Sequence, residues 1–157
     1  MTVAEFTERL LAHMGVEGVQ VEVEEGDTTL VKIQVSEEES GLLIGYHGEC
    51  ITAIQRVLYM TFSRENLDKK FIVNVNDYKE RRTAQIQEMA QHAAERVVVS
   101  GQPYVFSYLS ASERLIVHEF ISQTPEYAEL ESFSTGDGQH RRLHICRKEE
   151  SVPTLAA

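Results

Sequence analysis

The amino-acid sequence predicts an α+β fold in two units, and three features of its patterning support that prediction. Valines alternate with polar residues over positions 19–24, which is the period of a strand with one buried face. Apolar residues recur every three to four positions over 51–62 and again over 86–98, which is the period of an amphipathic helix. The length of 157 residues is enough for one medium domain or two small ones.

The first half of the chain is predicted to run helix, strand, strand, helix, turn, helix, strand. The predicted elements are a helix at 3–14, strands at 19–24 and 31–35 joined as a hairpin by the turn 25–28, a short helix opened by the acidic run 37–39, a long helix whose apolar face holds Ile51, Ile54, Leu58, Tyr59 and Phe62, and a strand at 71–75. Acidic residues suit a helix start because the helix dipole is positive there.

A glycine-bounded turn, Gly45-Tyr46-His47-Gly48, separates the two helices of the first half. Two glycines three apart allow a sharp bend and remove the side chains that would keep a ligand off the backbone. The peptide N–H groups at the start of the following helix then face outward, where they can bind a phosphate. The same spacing also occurs in ordinary turns, so the pattern by itself leaves both interpretations open.

The second half of the chain is predicted to contain two helices and a small sheet. The predicted elements are a long helix within 77–100 with an apolar stripe of Ile86, Met89, Ala90, Ala93, Ala94, Val97 and Val98, a brief strand at 105–106, a helix that starts at a capping box of Ser110 and Glu113 and stops before Pro125, and strands at about 128–134 and 140–147. The apolar stripe favours a packed connector over a dimer seam, because its repeat is too short for a coiled coil. The residues after 148 are predicted to be a flexible tail.

Four basic residues of the second half are candidates for a nucleic-acid contact. Arg114 and His118 lie four apart, so they share a helix face and can together contact a phosphate or a base. The alternative is a surface pair that serves neighbouring glutamates. Arg142 and His144 alternate with apolar residues of the last strand and are predicted to lie on its open side. We expect the four to form one local basic patch.

The charge balance limits how such a patch can act. The net charge is −10, and residues 1–76 alone carry 6 basic and 13 acidic side chains. Nucleic-acid binders are usually basic, so a polyanion must meet local positive patches on this chain. No stretch is apolar enough to span a membrane and no secretory signal is present, so we expect a cytoplasmic protein. Cys50 and Cys146 are expected to be reduced structural thiols.

The sequence predicts no catalytic site, no metal site and no cofactor. His118 and Glu119 begin a zinc-protease pattern, but Ser122 stands where the second histidine is needed. Gly48 is followed by Glu49 and not by the lysine of a phosphate-binding P-loop. The expected class is therefore a binding protein and not an enzyme.

The order of these elements is similar to that of a known pair of domains. Residues 1–76 resemble a KH domain of the prokaryotic, type II arrangement, α-β-β-α-α-β, with the glycine-bounded turn as its GxxG loop. Residues from about 77 to 147 resemble an R-three-H domain, whose Arg-xxx-His motif falls on Arg114 and His118. A KH domain followed directly by an R-three-H domain resembles the bacterial Jag (KhpB) family. The implied division is KH at 1–76, a helical connector at 77–100, R-three-H at 101–148 and a tail at 149–157.

The resemblance implies a non-enzymatic protein that binds single-stranded RNA, with single-stranded DNA left open. Gly45, Tyr46, His47 and Gly48 would hold the phosphates, and Arg114 and His118 would contact a single strand from the second domain. A role in post-transcriptional regulation linked to cell elongation and division is implied, as is a small KH-only partner protein. A homodimer is left open.

The alternative is a protein-interaction adaptor or dimerisation module with little affinity for nucleic acid. Its basis is the acidic first half and the GxxG loop, which holds Tyr46 and His47 where family members often have a lysine or arginine. A nuclease is a third and weaker alternative.

Overall fold

The computed structural model describes residues 1–64 and 68–148, and the chain divides into two compact units, Met1–Glu80 and a second that starts at Arg81. The predicted α+β class is confirmed, because the described residues form five α-helices and two three-stranded sheets. The predicted flexible tail at 149–157 lies outside the described residues. The domain boundaries at 76 and 100 stay a prediction.

The first unit packs its helices against a mixed sheet. Its elements are α1 (Val3–His13), β1 (Gln20–Glu24), β2 (Thr28–Gln34), α2 (Glu37–Ile44), a 3-10 turn (Tyr46–Gly48), α3 (Glu49–Phe62) and β3 (Lys70–Val75). The predicted hairpin is confirmed: β1 pairs with β2 antiparallel, and β3 pairs with the other side of β2 in parallel. The core is formed by Val3, Leu11, Val16, Val31, Ile33, Leu43, Ile51, Ile54, Leu58, Phe71, Val73 and Val75.

The buried stripe of α3 is narrower than the sequence predicts. Ile51, Ile54 and Leu58 are buried and Phe62 is half-buried, but Tyr59 is 40% exposed. Tyr59 follows Leu58 by about 100° around the helix, which turns its ring away from the core. The prediction that Tyr59 lies on the packed face was therefore wrong.

The second unit packs two helices on one face of an antiparallel sheet. Its elements are α4 (Tyr78–Ser100, which starts within the first unit), β4 (Tyr104–Val105), α5 (Ala111–Gln123), a 3-10 turn (Pro125–Tyr127), β5 (Leu130–Thr135), a second 3-10 turn (Gly138–His140) and β6 (Arg142–Arg147), with the strand order β4-β6-β5. Its core is formed by Ile86, Ala90, Ala93, Ala94, Val97, Phe106, Leu109, Val117, Ile121, Tyr127, Leu130, Leu143 and Ile145.

Helix α4 contributes its apolar stripe to the core of the second unit. Ile86 and Val97 are fully buried there, and alanines between them let neighbouring elements approach closely. Met89 and Val98, which the sequence places in the same stripe, are exposed. That part of the prediction was wrong, because a helix against one core buries a single narrow stripe.

The start of α5 is fixed by hydrogen bonds that confirm the predicted capping box. Ser110 Oγ accepts from the backbone N–H of Glu113 at 3.3 Å, and the Glu113 carboxylate accepts from the backbone N–H of Ser110 at 2.8 Å. Glu113 is only 4% exposed and also accepts from Arg82 Nε of α4 at 2.7 Å. One buried carboxylate thus joins the two helices that carry and support the Arg-xxx-His motif.

Candidate nucleic-acid interface

The GxxG loop has a backbone that requires both of its glycines. Gly45 has φ 68° and ψ −173°, a region that is nearly exclusive to glycine, and a Cβ there would lie 2.9 Å from the backbone nitrogen of Cys50. Gly48 has φ 80°, and a Cβ there would lie 3.3 Å from the Tyr78 ring. Gly48 is also the N-cap of α3 and offers no side-chain cap. Backbone N–H groups therefore begin α3 beside two residues without side chains, which suits an anion.

The two residues inside the GxxG loop present aromatic rings at the same place. Tyr46 is 65% exposed, and its ring meets that of His47 edge to face with centroids 4.2 Å apart. His47 has φ 51°, in the left-handed region. The loop therefore offers an exposed aromatic ring on which a base can stack, beside the start of α3, where the backbone N–H groups suit an anion.

A groove of about 1170 Å³ lies between α3 and β3. Thr52 is in its wall and donates a hydrogen bond from Oγ1 to the carbonyl oxygen of Gly48 at 3.0 Å, so the groove adjoins the GxxG loop. Gln55 Oε1 accepts from the backbone N–H of Val73 at 3.2 Å and ties the helix to the edge of the sheet. The lining residues are Asp27, Thr28, Thr52, Gln55, Arg56, Tyr59, Met60, Asp68, Lys69, Lys70, Phe71 and Ile72.

Three cations line this groove although the unit as a whole is acidic. They are Arg56 of α3 with Lys69 and Lys70 at the start of β3, against the carboxylates of Asp27 and Asp68. Sequence reasoning missed these cations, because only the pairing of β3 beside β2 brings residues 69–70 alongside α3. The spacing of Thr52, Arg56 and Tyr59 along one helix face is a local signal that could have found Arg56, but not the two lysines.

The Arg-xxx-His motif of α5 is held by hydrogen bonds to the protein. Arg114 Nη1 donates to the carbonyl oxygen of Leu109 at 2.7 Å, and His118 Nδ1 lies 2.7 Å from Ser132 Oγ in a hydrogen bond. Both residues are half-buried. Burial is the largest cause that lowers the pKa of His118, and the positive charges of Arg114 and Arg141 lower it further, against the effect of a hydrogen bond with Ser132. His118 is therefore mainly neutral at pH 7 and can act there as a hydrogen-bonding group.

A second cavity, of about 420 Å³, lies beside His118. It is lined by His118, Glu119, Ile121, Ser122, Tyr127, Ala128, Leu130, Glu131, Ser132 and Lys148. Its walls combine one half-buried imidazole with one lysine and two carboxylates. The ring of His118 is therefore accessible from an open part of the surface.

Arg142 and His144 lie on the other face of the sheet from His118. Leu143 and Ile145 are buried as predicted, so Arg142 and His144 point to the opposite, open face. His118 bonds to Ser132, which pairs with Ile145 and so lies on the face that α5 covers. The prediction of one basic patch was wrong for this reason.

The positive charge that acts on His118 from the chain just before β6 belongs to Arg141, and not to Arg142. Sequence reasoning did not single out Arg141. The signal that could have found it is its place directly before the strand that pairs with β5, which carries Ser132.

The described parts of the chain, 1–64 and 68–148, show no group of three or more His, Cys, Asp or Glu side chains arranged to hold a metal ion. Within the same residues no helix is long and apolar enough to cross a membrane.

Comparison with known proteins identifies both units. Residues 2–75 match the KH domain of KhpA and KhpB, and residues 84–147 match the R-three-H domain. The RNA-binding protein KhpB of Streptococcus pneumoniae is 35% identical over 117 residues, which are 73% of this chain and 34% of that protein. The RNA-binding protein KhpB of Bacillus subtilis is 26% identical over 129 residues, which are 82% of this chain and 61% of that protein. The chain spans about a third of the length of the pneumococcal relative. With a KhpA/KhpB-type KH domain followed by an R-three-H domain, the chain belongs to the Jag (KhpB) family.

Proposed function

We propose that the chain binds single-stranded RNA without catalysing a reaction on it. The observation that supports this best is the geometry of the GxxG loop. Gly45 and Gly48 have positive φ values, and α3 begins at Gly48 without a side-chain cap, next to the α3–β3 groove. The relatives in Streptococcus pneumoniae and Bacillus subtilis carry the name RNA-binding protein.

In the KH unit, the phosphates would meet the backbone N–H groups at the start of α3, and Gly45, Tyr46, His47 and Gly48 would form the clamp. A KH domain holds about four nucleotides in this manner. The bases would follow the α3–β3 groove, where Tyr59 offers an exposed ring and Lys69 and Lys70 offer charge. These cations compensate for a loop that contains no lysine or arginine.

In the R-three-H unit, Arg114 would supply the charge and His118 a hydrogen bond or a stacking surface. Both side chains are already oriented by Leu109 and Ser132, so binding does not have to order them. Arg142 and His144 remain proposed contacts on the other face of the sheet. Two modest sites on one chain bind more tightly than either alone, because the first contact raises the effective concentration of the second.

Titration of a labelled short single-stranded RNA at several salt concentrations tests this proposal. We expect affinity to fall with salt, with a logarithmic slope of about −0.7 for each phosphate contacted. An affinity that does not change with salt, or no binding at low salt, would contradict it. The RNA should remain intact with magnesium present, whereas cleavage would favour the nuclease alternative. A matched single-stranded DNA decides between RNA and DNA.

A second candidate function, an adaptor or dimerisation module, is favoured by exposed apolar side chains on the KH unit. Leu42 of α2 and Val57 of α3 are both exposed on a unit that carries excess negative charge. A small KH-only protein or a second copy of this chain would be the partner. If this function dominates, light scattering should show a dimer of the chain or a complex of defined mass with the partner protein. The RNA titration should then show no binding.

A cytoplasmic location and a regulatory role linked to cell elongation and division stay predictions.

A further inference from the structure

The open face of the second sheet carries an aromatic pair that the Arg114–His118 site does not use. Phe133 of β5 and His144 of β6 are paired across the strands, and their rings are stacked with centroids 4.9 Å apart and planes 1° apart. Phe133 is 39% exposed although a phenylalanine ring is more stable in a core.

Neighbouring side chains orient this pair and extend it across the sheet. Thr135 Oγ1 lies 2.7 Å from His144 Nε2, which fixes the rotation of the imidazole ring. Val105 of β4 pairs with His144 on its other side and is 50% exposed. An apolar and aromatic row therefore crosses all three strands of the sheet on the face that the helices leave open.

Charged side chains lie beside this row, one residue pair further along the strands on each side. Arg142 pairs with Thr135 and shares the open face, and its Nη1 donates to the carbonyl oxygens of Gln139 and Arg141 at 2.7 and 3.0 Å. Glu131 lies on the same face in the other direction, near Cys146. On the described part of this face, the side of the row that suits a phosphate is therefore the side of Arg142.

We propose that Phe133 and His144 form a stacking platform for one unpaired base of a bound single strand, with Arg142 beside its phosphate. The order β4-β6-β5 places Phe133 on an outer strand, so a base can continue the stack on the ring face that His144 does not cover. Stacking tolerates any base, because each has a π-face. The inference rests on the proposed RNA-binding function and adds Phe133, a residue outside both motifs.

The test uses the full chain and short single-stranded RNAs that each carry 2-aminopurine at one position, since stacking quenches its fluorescence. The variants are Phe133→Leu, which keeps apolar bulk without the ring, and Phe133→Tyr, which keeps the ring. Val99→Ala is the control, because it shortens an exposed apolar side chain of α4. We expect Phe133→Leu to weaken binding about 5- to 150-fold, the effect of losing one stacked base, and to restore the fluorescence. The Phe133→Tyr and Val99→Ala variants should bind like the wild type.

Two different failures can be distinguished. If the wild type binds RNA and Phe133→Leu binds equally well with the same quenching, the platform is wrong and the proposed function stands. If the wild type does not bind RNA, both the platform and the proposed RNA-binding function are wrong. Should Phe133→Leu not fold, the ring protons of Phe133 in the wild type decide: we expect an upfield NMR shift on RNA addition, and an unchanged resonance would overturn the platform.

Discussion

The ring of His118 on α5 is tied to β5 by a hydrogen bond, with Nδ1 2.7 Å from Oγ of Ser132. The bond crosses from the helix to the sheet that the helix covers, so the rigid core of the R-three-H unit sets the orientation of a proposed contact residue. The same half-buried position lowers the pKa of His118, with burial as the largest cause and the charges of Arg114 and Arg141 next.

This lowered pKa predicts a pH dependence of stability. In the unfolded chain the imidazole takes up a proton near pH 6.5, whereas the folded protein resists protonation until the pH is lower. The free energy of unfolding should therefore fall as the pH drops below 6.5, until the folded pKa is reached. Chemical denaturation at pH 7.5 and pH 5.5 measures the fall, and a His118→Asn variant should show less of it. An equal fall in both proteins would mean that other groups cause it.

The backbone of the GxxG loop predicts opposite effects of alanine at two nearby glycines. Gly45→Ala should destabilise the KH unit by about 3 kcal/mol, because φ 68° with ψ −173° strains an L-residue and the new Cβ meets Cys50. Gly41→Ala, in α2 with open space around the position, should stabilise it by about 0.5–1 kcal/mol. Thermal unfolding checks both, since 1 kcal/mol shifts the midpoint of such a unit by roughly 4–8 °C. Similar midpoints for the two variants would contradict this account of the loop.

The cations of the groove predict a change in salt dependence. Lys69→Ala with Lys70→Ala should weaken RNA binding at low salt and make the logarithmic salt slope shallower by about 0.7 for each phosphate that the protein no longer neutralises. Lys32→Ala is the control, because Lys32 is paired with Glu24 at 2.6 Å and does not line the groove. An unchanged slope in the double variant would place the RNA elsewhere on the unit.

The ion pair of Arg82 and Glu113 predicts a large effect on the stability of the R-three-H unit. Arg82→Met removes a partner 2.7 Å from a buried carboxylate and should cost about 3 kcal/mol of unfolding free energy. Arg96→Met, at a position whose guanidinium only approaches the Tyr104 ring at 5.8 Å, should cost less than about 1 kcal/mol. Urea denaturation measures the unfolding free energy of both variants. Equal losses would contradict a large contribution of the ion pair to stability.

Local patterns predicted most of the fold. The alternation of valines indicated the β1–β2 hairpin, and the Ser110–Glu113 capping box indicated the start of α5, because each depends on residues close in sequence. The helical periodicity of apolar residues overestimated how many of their side chains are buried. Tyr59, Met89 and Val98 continue apolar stripes in the sequence, but the core covers only a narrow band of each helix.

The candidate interface was only partly predictable, because its geometry depends on long-range pairing. The GxxG loop and the Arg114–His118 pair are local motifs. The groove exists only where β3 lies beside α3, so the sequence did not indicate Lys69 and Lys70. Alternation predicted correctly which residues of β6 face the core and which face away from it. It did not predict that α5 covers the side of the sheet on which Ile145 lies.

The measurement that tests the central claim most directly is fluorescence anisotropy of a short single-stranded RNA with variants of each unit. Substituting Gly45 would confound it, because the fold needs that glycine. A better KH variant is Tyr46→Ala with His47→Asp, since aspartate tolerates φ 51° and places a negative charge where a phosphate would bind. His92→Asp, on the exposed side of α4, makes the same charge change as a control. The variant of the R-three-H unit is Arg114→Ala with His118→Ala. The account predicts that both double variants lose affinity while His92→Asp does not, and wild-type affinity in both would contradict it.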